Sequence, residues 1–355
     1  MRQTLIRIFL DQPWALWKTD PQSGISGPGL AVLWLVGGLL WFGFRFVRNG
    51  FSVPEGERGS LVVWLVGLVV CSVIGTVTGA GSFPIFGYGF MLLIGFLCAV
   101  WFANRRADAN GIDREQILDA GFWILVSGVL GGRIFYLLQY GEHVFAGKSG
   151  GELLRAAIDL RQGGLVLVGG MVGGSIGYFT FCYLRKLSPL QLADVLTPSV
   201  FIGIAFGRLG CLMNGCCYGD ACTLPWGISF PAGSVPFDSL ALRGFVDPES
   251  AATYPLHPTQ IYSALNGFVL AFVTAKYFPR RRHDGDVFAL ACILYPITRF
   301  LIEFLRNDEG SQLGTGLTIS QLYSLLILVA GIVLMLTLSW RGRPARLRTT
   351  QMTTG

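Results

Sequence analysis

Three arginines, Arg133, Arg208 and Arg299, lie within stretches that are otherwise almost wholly apolar. A guanidinium costs at least about 3 kcal/mol to insert at the centre of a bilayer, so it is retained for a purpose and normally faces a helix-bundle interior. The chemistry it offers is anion binding: the planar fork stays charged when desolvated and gives paired hydrogen bonds to a phosphate or carboxylate. Other polar residues fall at a similar depth: Tyr88, the Gly169-Gly170 pair, and Asn214, Tyr218 and His257 around the longest loop. Three cations at one depth describe an anion site, and the simplest anion there is a phospholipid head group. Plainer readings stand beside this one. Arg133 could bond backbone carbonyls, Arg208 could snorkel to the interface, and Arg299 could pair with Glu303 at i+4. The small-residue runs Gly169–Gly174 and Gly203–Gly207 suit close helix packing more readily than ligand contact.

The elements that position these residues follow from composition. Hydrophobic residues make up 52% of the 355 and charged residues only 14%, and the mean hydropathy is +0.56. That is too little charge for a soluble domain, and it predicts an all-α, polytopic transmembrane helix bundle. About 20 apolar residues cross a bilayer, which predicts some nine spans near 30–48, 61–80, 82–103, 119–140, 164–185, 192–212, 260–278, 286–305 and 318–340. The net charge of +6 is no nucleic-acid signal, because the basic residues sit in short runs between spans. Sixteen of them fall on one side: Arg45, Arg48, Arg58, Arg105, Arg106, Arg114, Arg185, Lys186, Lys276, Arg280, Arg281, Arg282, Arg341, Arg343, Arg346 and Arg348. Eight fall on the other, which predicts an outer N-terminus and a cytoplasmic C-terminus. The first 28 residues carry no continuous apolar core and read as no cleavable signal peptide. The longest loop, 213–258, is then outside, as a small cap or arm.

Four of the eight cysteines, Cys211, Cys216, Cys217 and Cys222, cluster at that outer face, and the other four sit in spans as small apolar residues. The outer cluster could form a disulfide, bind zinc or supply reactive thiols. Its Cys-x4-Cys-Cys-x4-Cys spacing is not that of a zinc ribbon, so a structural disulfide is expected, with no metal and no cofactor.

The arginines sit in four words that occur in order: Gly131-Gly132-Arg133-Ile134-Phe135-Tyr136; Gly207-Arg208-Leu209-Gly210-Cys211-Leu212-Met213-Asn214-Gly215 through Gly219; His257-Pro258-Thr259-Gln260-Ile261-Tyr262; and Arg299-Phe300-Leu301-Ile302-Glu303-Phe304-Leu305-Arg306. Together they resemble the bacterial prolipoprotein diacylglyceryl transferases, from about Phe83 to Leu336. The resemblance implies a seven-span core over 82–340, which includes the outer loop. It leaves 1–81 as an extension with two further spans and 341–355 as a basic cytoplasmic tail. It implies an inner-membrane enzyme that moves the diacylglyceryl group of phosphatidylglycerol to the lipobox cysteine of a prolipoprotein, forming a thioether and releasing glycerol phosphate. Its partners are phosphatidylglycerol, the prolipoprotein signal peptide and the bilayer, with no nucleic acid. Arg208 and Arg299 then hold the phosphate, with Tyr88 and His257 as further catalytic residues. Arg133, Asn214, Gly169, Gly170, Gly219 and Glu303 complete the substrate-binding set.

This chain departs from the family pattern at four places. Val168 stands where a His usually precedes the paired glycines. Cys211 replaces an Asn, Cys216 a Glu, and Ser263 a Glu after the His-Pro word. The usual general bases are therefore absent, and His257, Cys216 or Tyr88 could substitute, or the substrate thiol could ionise without a strong base. Two alternatives follow: a catalytically altered homologue that binds anionic lipid or lipoprotein precursor, and a membrane thiol–disulfide oxidoreductase built on the outer cysteines.

Overall fold

The computed structural model describes residues 4–20, 25–48, 57–78, 81–108, 110–158, 164–306 and 316–341. The expected cytoplasmic tail beyond Arg341 and the outer-side Arg161 lie outside the described residues. Among the described residues there are eleven α-helices: α1 (Leu30–Arg48), α2 (Glu57–Thr78), α3 (Gly87–Asp108), α4 (Arg114–Phe145), α5 (Gly151–Ile158), α6 (Leu167–Arg185), α7 (Pro189–Asn214), α8 (Val235–Leu242), α9 (Thr259–Tyr277), α10 (Asp286–Glu303) and α11 (Ile319–Arg341). Four short strands accompany them among the same residues: β1 (Thr4–Phe9), β2 (Lys18–Thr19), β3 (Ser26–Gly27) and β4 (Ser82–Phe86).

Each of the nine expected stretches holds a helix, and six of these helices are long and apolar enough to cross a membrane: α3, α4, α6, α7, α9 with its closing turn, and α11. α10 carries Asp286, Arg299 and Glu303 within 18 residues, so charge rather than length sets it apart. α1 and α2 contribute the shorter apolar runs Leu30–Phe44 and Trp64–Ile74. The most apolar window of α4 is only 6% buried within the protein. Apolar side chains so uncovered need lipid around them, and a helix keeps its backbone hydrogen bonds internal there. The chain is a multi-pass membrane protein.

Two features were not anticipated. The third expected span, from residue 82, begins as strand β4, which pairs antiparallel with β1. Pro84, which lacks a backbone N–H, suits an edge strand in this short segment. The segment between α4 and α6 contains the short helix α5, whose amphipathic Gly151–Ile158 run is too brief for a span.

The fold divides into two compact units. The first comprises 1–93 and 207–260, the second 94–206 and 261–355. In the first, α1 and α2 pair through reciprocal indole bonds: Trp34 Nε1 donates to the Trp64 carbonyl at 2.9 Å, and Trp64 Nε1 to the Trp34 carbonyl at 3.2 Å. The charged N-terminal residues close on themselves, with Arg7 bridging to Asp20 and Lys18 to Asp11, both at 2.8 Å. The long loop 213–258 has its own apolar centre of Phe230, Phe237, Leu240, Val246 and Leu256, as a small arm requires. In the second unit α4 and α6 cross at glycines. A Cβ on Gly173 would meet the Gly131 Cα at 2.9 Å, and one on Gly170 the Gly128 carbonyl at 3.6 Å. Both helices approach to backbone contact because neither carries side chains there. α4 starts on a capping box, Asp113 accepting from Glu115 N at 3.2 Å while the Gln116 side chain accepts from Asp113 N at 3.3 Å.

Candidate active site

In the first unit the start of α3 lies against the last turns of α7. A Cβ on Gly210 would meet the Tyr88 ring at 3.1 Å and the Tyr88 carbonyl at 3.3 Å, so glycine here brings the two helices together. Tyr88 is thereby within electrostatic range of Arg208, Cys211, Cys216 and Cys217, and the residue remains 41% exposed. Arg208 is half-buried and makes no hydrogen bond or ion pair among the described residues. A half-buried guanidinium with no acid beside it among the described residues favours an anion from outside the protein.

The end of α7 is turned sharply. Gly215 adopts φ 80°, and its amide and that of Cys216 both donate to the Cys211 carbonyl, at 2.9 and 3.1 Å. Cys217 follows at φ 62°, a left-handed conformation rare outside glycine. The chain thus doubles back over the helix end, and the sulfurs of Cys211, Cys216 and Cys217 come within 4.8 Å of one another. The thiols share hydrogen bonds: contact with Cys211 pulls the Cys216 thiol down, but Cys217 and burial push it above its ordinary value. The expected disulfide is not formed, and none of the eight cysteines is paired in one. Cys222 stays apart from the trio, its amide donating to the Pro255 carbonyl at 2.8 Å.

The His257 word holds this loop in place. Gly219 N donates to the His257 carbonyl at 2.9 Å, and His257 N to the Asp220 carbonyl at 2.9 Å. Thr259 Oγ1 donates to the Cys217 carbonyl at 2.7 Å and Gln260 Nε2 to the Cys216 carbonyl at 2.9 Å. Thr259 and Gln260 are almost wholly buried, and the Gln260 amide oxygen has no donor among the described residues. Thus Tyr88, Arg208, Asn214, Gly219 and His257 belong to one compact unit. Thr259 and Gln260 were missed as site residues, although both stand inside the quoted word. Nothing in their spacing announces which distant carbonyls they reach.

Arg133, Arg299, Glu303, Gly169 and Gly170 belong to the second unit. Arg133 bonds backbone carbonyls: Nε to Ala157 at 2.8 Å, Nη2 to Ala156 at 2.7 Å and Nη1 to Gly164 at 3.1 Å. It caps the last turn of α5, where carbonyls lack helical partners, and its guanidinium lies over the Tyr136 ring at 5.1 Å. Arg299 pairs with Glu303, whose Oε1 also accepts from Thr318 Oγ1 at 3.3 Å. Glu303 is 2% exposed, so the pair is mutually required. Gly169 and Gly170 sit in the α4–α6 crossing described above.

Comparison with known proteins gives one answer. The family described as prolipoprotein diacylglyceryl transferase matches residues 76–337. The phosphatidylglycerol–prolipoprotein diacylglyceryl transferase 2 of Clostridium perfringens is 34% identical over 252 residues, which cover 70% of this chain and 90% of the relative. That of Clostridium tetani is 33% identical over 248 residues, 70% of this chain and 91% of the relative. That of Rhodopirellula baltica is 29% identical over an alignment spanning 96% of this chain and 90% of the relative.

Proposed function

The chain belongs to the prolipoprotein diacylglyceryl transferase family, and from that premise we propose that it transfers the diacylglyceryl group of phosphatidylglycerol to the cysteine thiol of a prolipoprotein. A sulfur attacks the glycerol carbon next to the phosphodiester, a C–S bond forms, and the C–O bond to phosphate breaks with its electron pair leaving on glycerol phosphate. The barrier lies chiefly in the charge on the departing phosphate, so fixed cations in a poorly solvated site contribute most. The observation that carries the reading is the Arg208 guanidinium, without an internal acid, beside Tyr88 and the loop that follows Asn214. Arg208 grips the phosphate in this reading, and Arg299, oriented by Glu303, is proposed as a catalytic cation within its own unit. Arg133 positions α5 and the Gly164 turn, since carbonyls already occupy its donors. Tyr88 and His257 border the reacting atoms, Asn214 and Gly219 shape the loop, and Gly169 and Gly170 let α6 approach α4.

Residues 82–340 form the catalytic core in this reading, 1–81 an extension with two spans, and 341–355 a cytoplasmic tail. The N-terminus lies outside, so that Arg208 faces the leaflet into which secreted precursors emerge. Purified protein incubated with phosphatidylglycerol and a lipobox peptide gains the peptide a diacylglyceryl mass. Saturable lipid binding without that mass identifies the altered homologue instead, and disulfide exchange without it the oxidoreductase.

A further inference from the structure

The end of α7 and the turn after it place three thiols where a single cation could reach all of them. The sulfurs of Cys211, Cys216 and Cys217 lie within 4.8 Å of one another. Tetrahedral zinc with Zn–S bonds of about 2.3 Å sets its sulfurs roughly 3.8 Å apart, so closure onto the metal needs shifts of about 1 Å or less. The frame for this is built by other residues. Gly215 and Cys217 hold left-handed backbone conformations, and Gln260 and Thr259 fasten the carbonyls of Cys216 and Cys217. A non-glycine residue kept at positive φ by buried tertiary bonds is the kind of strain that collects at functional sites. No fourth His, Cys, Asp or Glu joins the trio among the described residues. Three protein ligands and one open position are the arrangement of a reactive zinc site rather than a closed structural one.

We infer that Cys211, Cys216 and Cys217 bind one Zn2+ and that its open fourth position takes the acceptor peptide's cysteine thiol. The metal site stands on the sulfurs alone; the choice of fourth ligand rests on the transferase reading above. A thiol that coordinates Zn2+ is deprotonated, so the metal supplies the thiolate without a protein base, and the released proton passes to water. The bound sulfur then attacks the glycerol carbon and the C–O bond to phosphate breaks. The product thioether, a neutral and weaker ligand, leaves zinc with its three cysteines. Overall a thiol and phosphatidylglycerol become a thioether, glycerol phosphate and a proton, with no change of oxidation state. Zinc with three thiolates carries one net negative charge, and Arg208, three residues before Cys211 on α7, supplies a neighbouring positive one.

The full chain, purified in detergent, exposed to Zn2+ and desalted, is expected to retain one zinc per molecule by mass spectrometry of the metal. Cys211→Ser and Cys216→Ser are expected to lose it, and Cys98→Ser to keep it. Equal zinc in all four proteins overturns the site. Should a variant fail to fold, Co2+ added to the unaltered chain reads the same ligands. A thiolate-to-cobalt charge-transfer band is expected, and its absence overturns the site. The visible cobalt bands should shift on adding a lipobox peptide and not with the same peptide carrying Ser for Cys; no shift overturns the fourth-ligand assignment. Chelation should slow diacylglyceryl transfer about a hundredfold, as loss of thiol activation would, with recovery on adding zinc. Full transfer by the metal-free chain overturns this inference and leaves the transferase reading intact. Stoichiometric zinc with a peptide-induced cobalt shift, but no diacylglyceryl product, upholds the metal site and overturns the transferase reading.

Discussion

Arg281 and Arg208 are both drawn wholly or partly out of water, and their surroundings differ in kind. The side chains of Arg281 and Asp194 are each 0% exposed, with Nε 3.5 Å from Oδ2. Arg281 also donates to the Phe278 carbonyl at 3.0 Å and to Asn110 Oδ1. Asp194 in turn accepts from Gly285 N at 2.8 Å and Phe288 N at 3.0 Å, capping the start of α10 from a different helix. Nearby in the same unit, Arg106 bonds the Val195 carbonyl and Ser199. Every charge there is answered inside the chain. Arg208, with no such partner among the described residues, is answered by nothing but a neighbouring phenol and thiols. A buried ion pair with its own hydrogen bonds holds helices in register; a cation left without a counterion holds a place for a ligand.

That contrast can be broken by substitution. The largest effect is expected at Arg281→Ala, which strands the buried Asp194 carboxylate and costs about 3–5 kcal/mol of stability. It should be visible as a lowered unfolding temperature in detergent, with partial recovery when Asp194→Asn is added. Arg208→Ala should lower transfer about a hundred- to a thousandfold, as removal of one transition-state donor does, while the unfolding temperature stays near that of the parent. Near-normal turnover in Arg208→Ala would remove the assigned role, and collapse of the fold would make Arg208 another Arg281. Gly169→Leu intrudes on the glycine crossing of α4 and α6, an overpacking expected to cost about 1–3 kcal/mol by the same thermal measurement. Thr259→Val leaves the Cys217 carbonyl without its donor and should cost about 1 kcal/mol. A few-fold loss of transfer that exceeds the stability change would sharpen the view that Thr259 positions the cysteine loop.

Legibility in the sequence followed the range of each interaction. Helices were readable because apolar content over some 20 residues is a local property, and each of the nine expected stretches holds a helix. Arg299 with Glu303 was readable as an i+4 pair. Arg133 was legible as an intramembrane charge, but its partners Ala156, Ala157 and Gly164 lie 23 to 31 residues away. Arg106 and Arg281 read in the sequence as topological charges of one side, and the fold half-buries the first and buries the second. Strand β4 reads in the sequence as the start of a span because its partner β1 lies more than 70 residues earlier, and strand pairing leaves little trace in a five-residue run.

Sequence alone determined the membrane-embedded helical architecture, the family words and the residues able to do chemistry, because composition, hydropathy and residue type act where they stand. Which arginine is satisfied and which is not, and whether Cys211, Cys216, Cys217 and Cys222 make a disulfide or a trio of neighbouring thiols, were decided by tertiary structure. Those outcomes depend on backbone carbonyls and amides brought together from distant segments, and such groups are the same at every position of a chain.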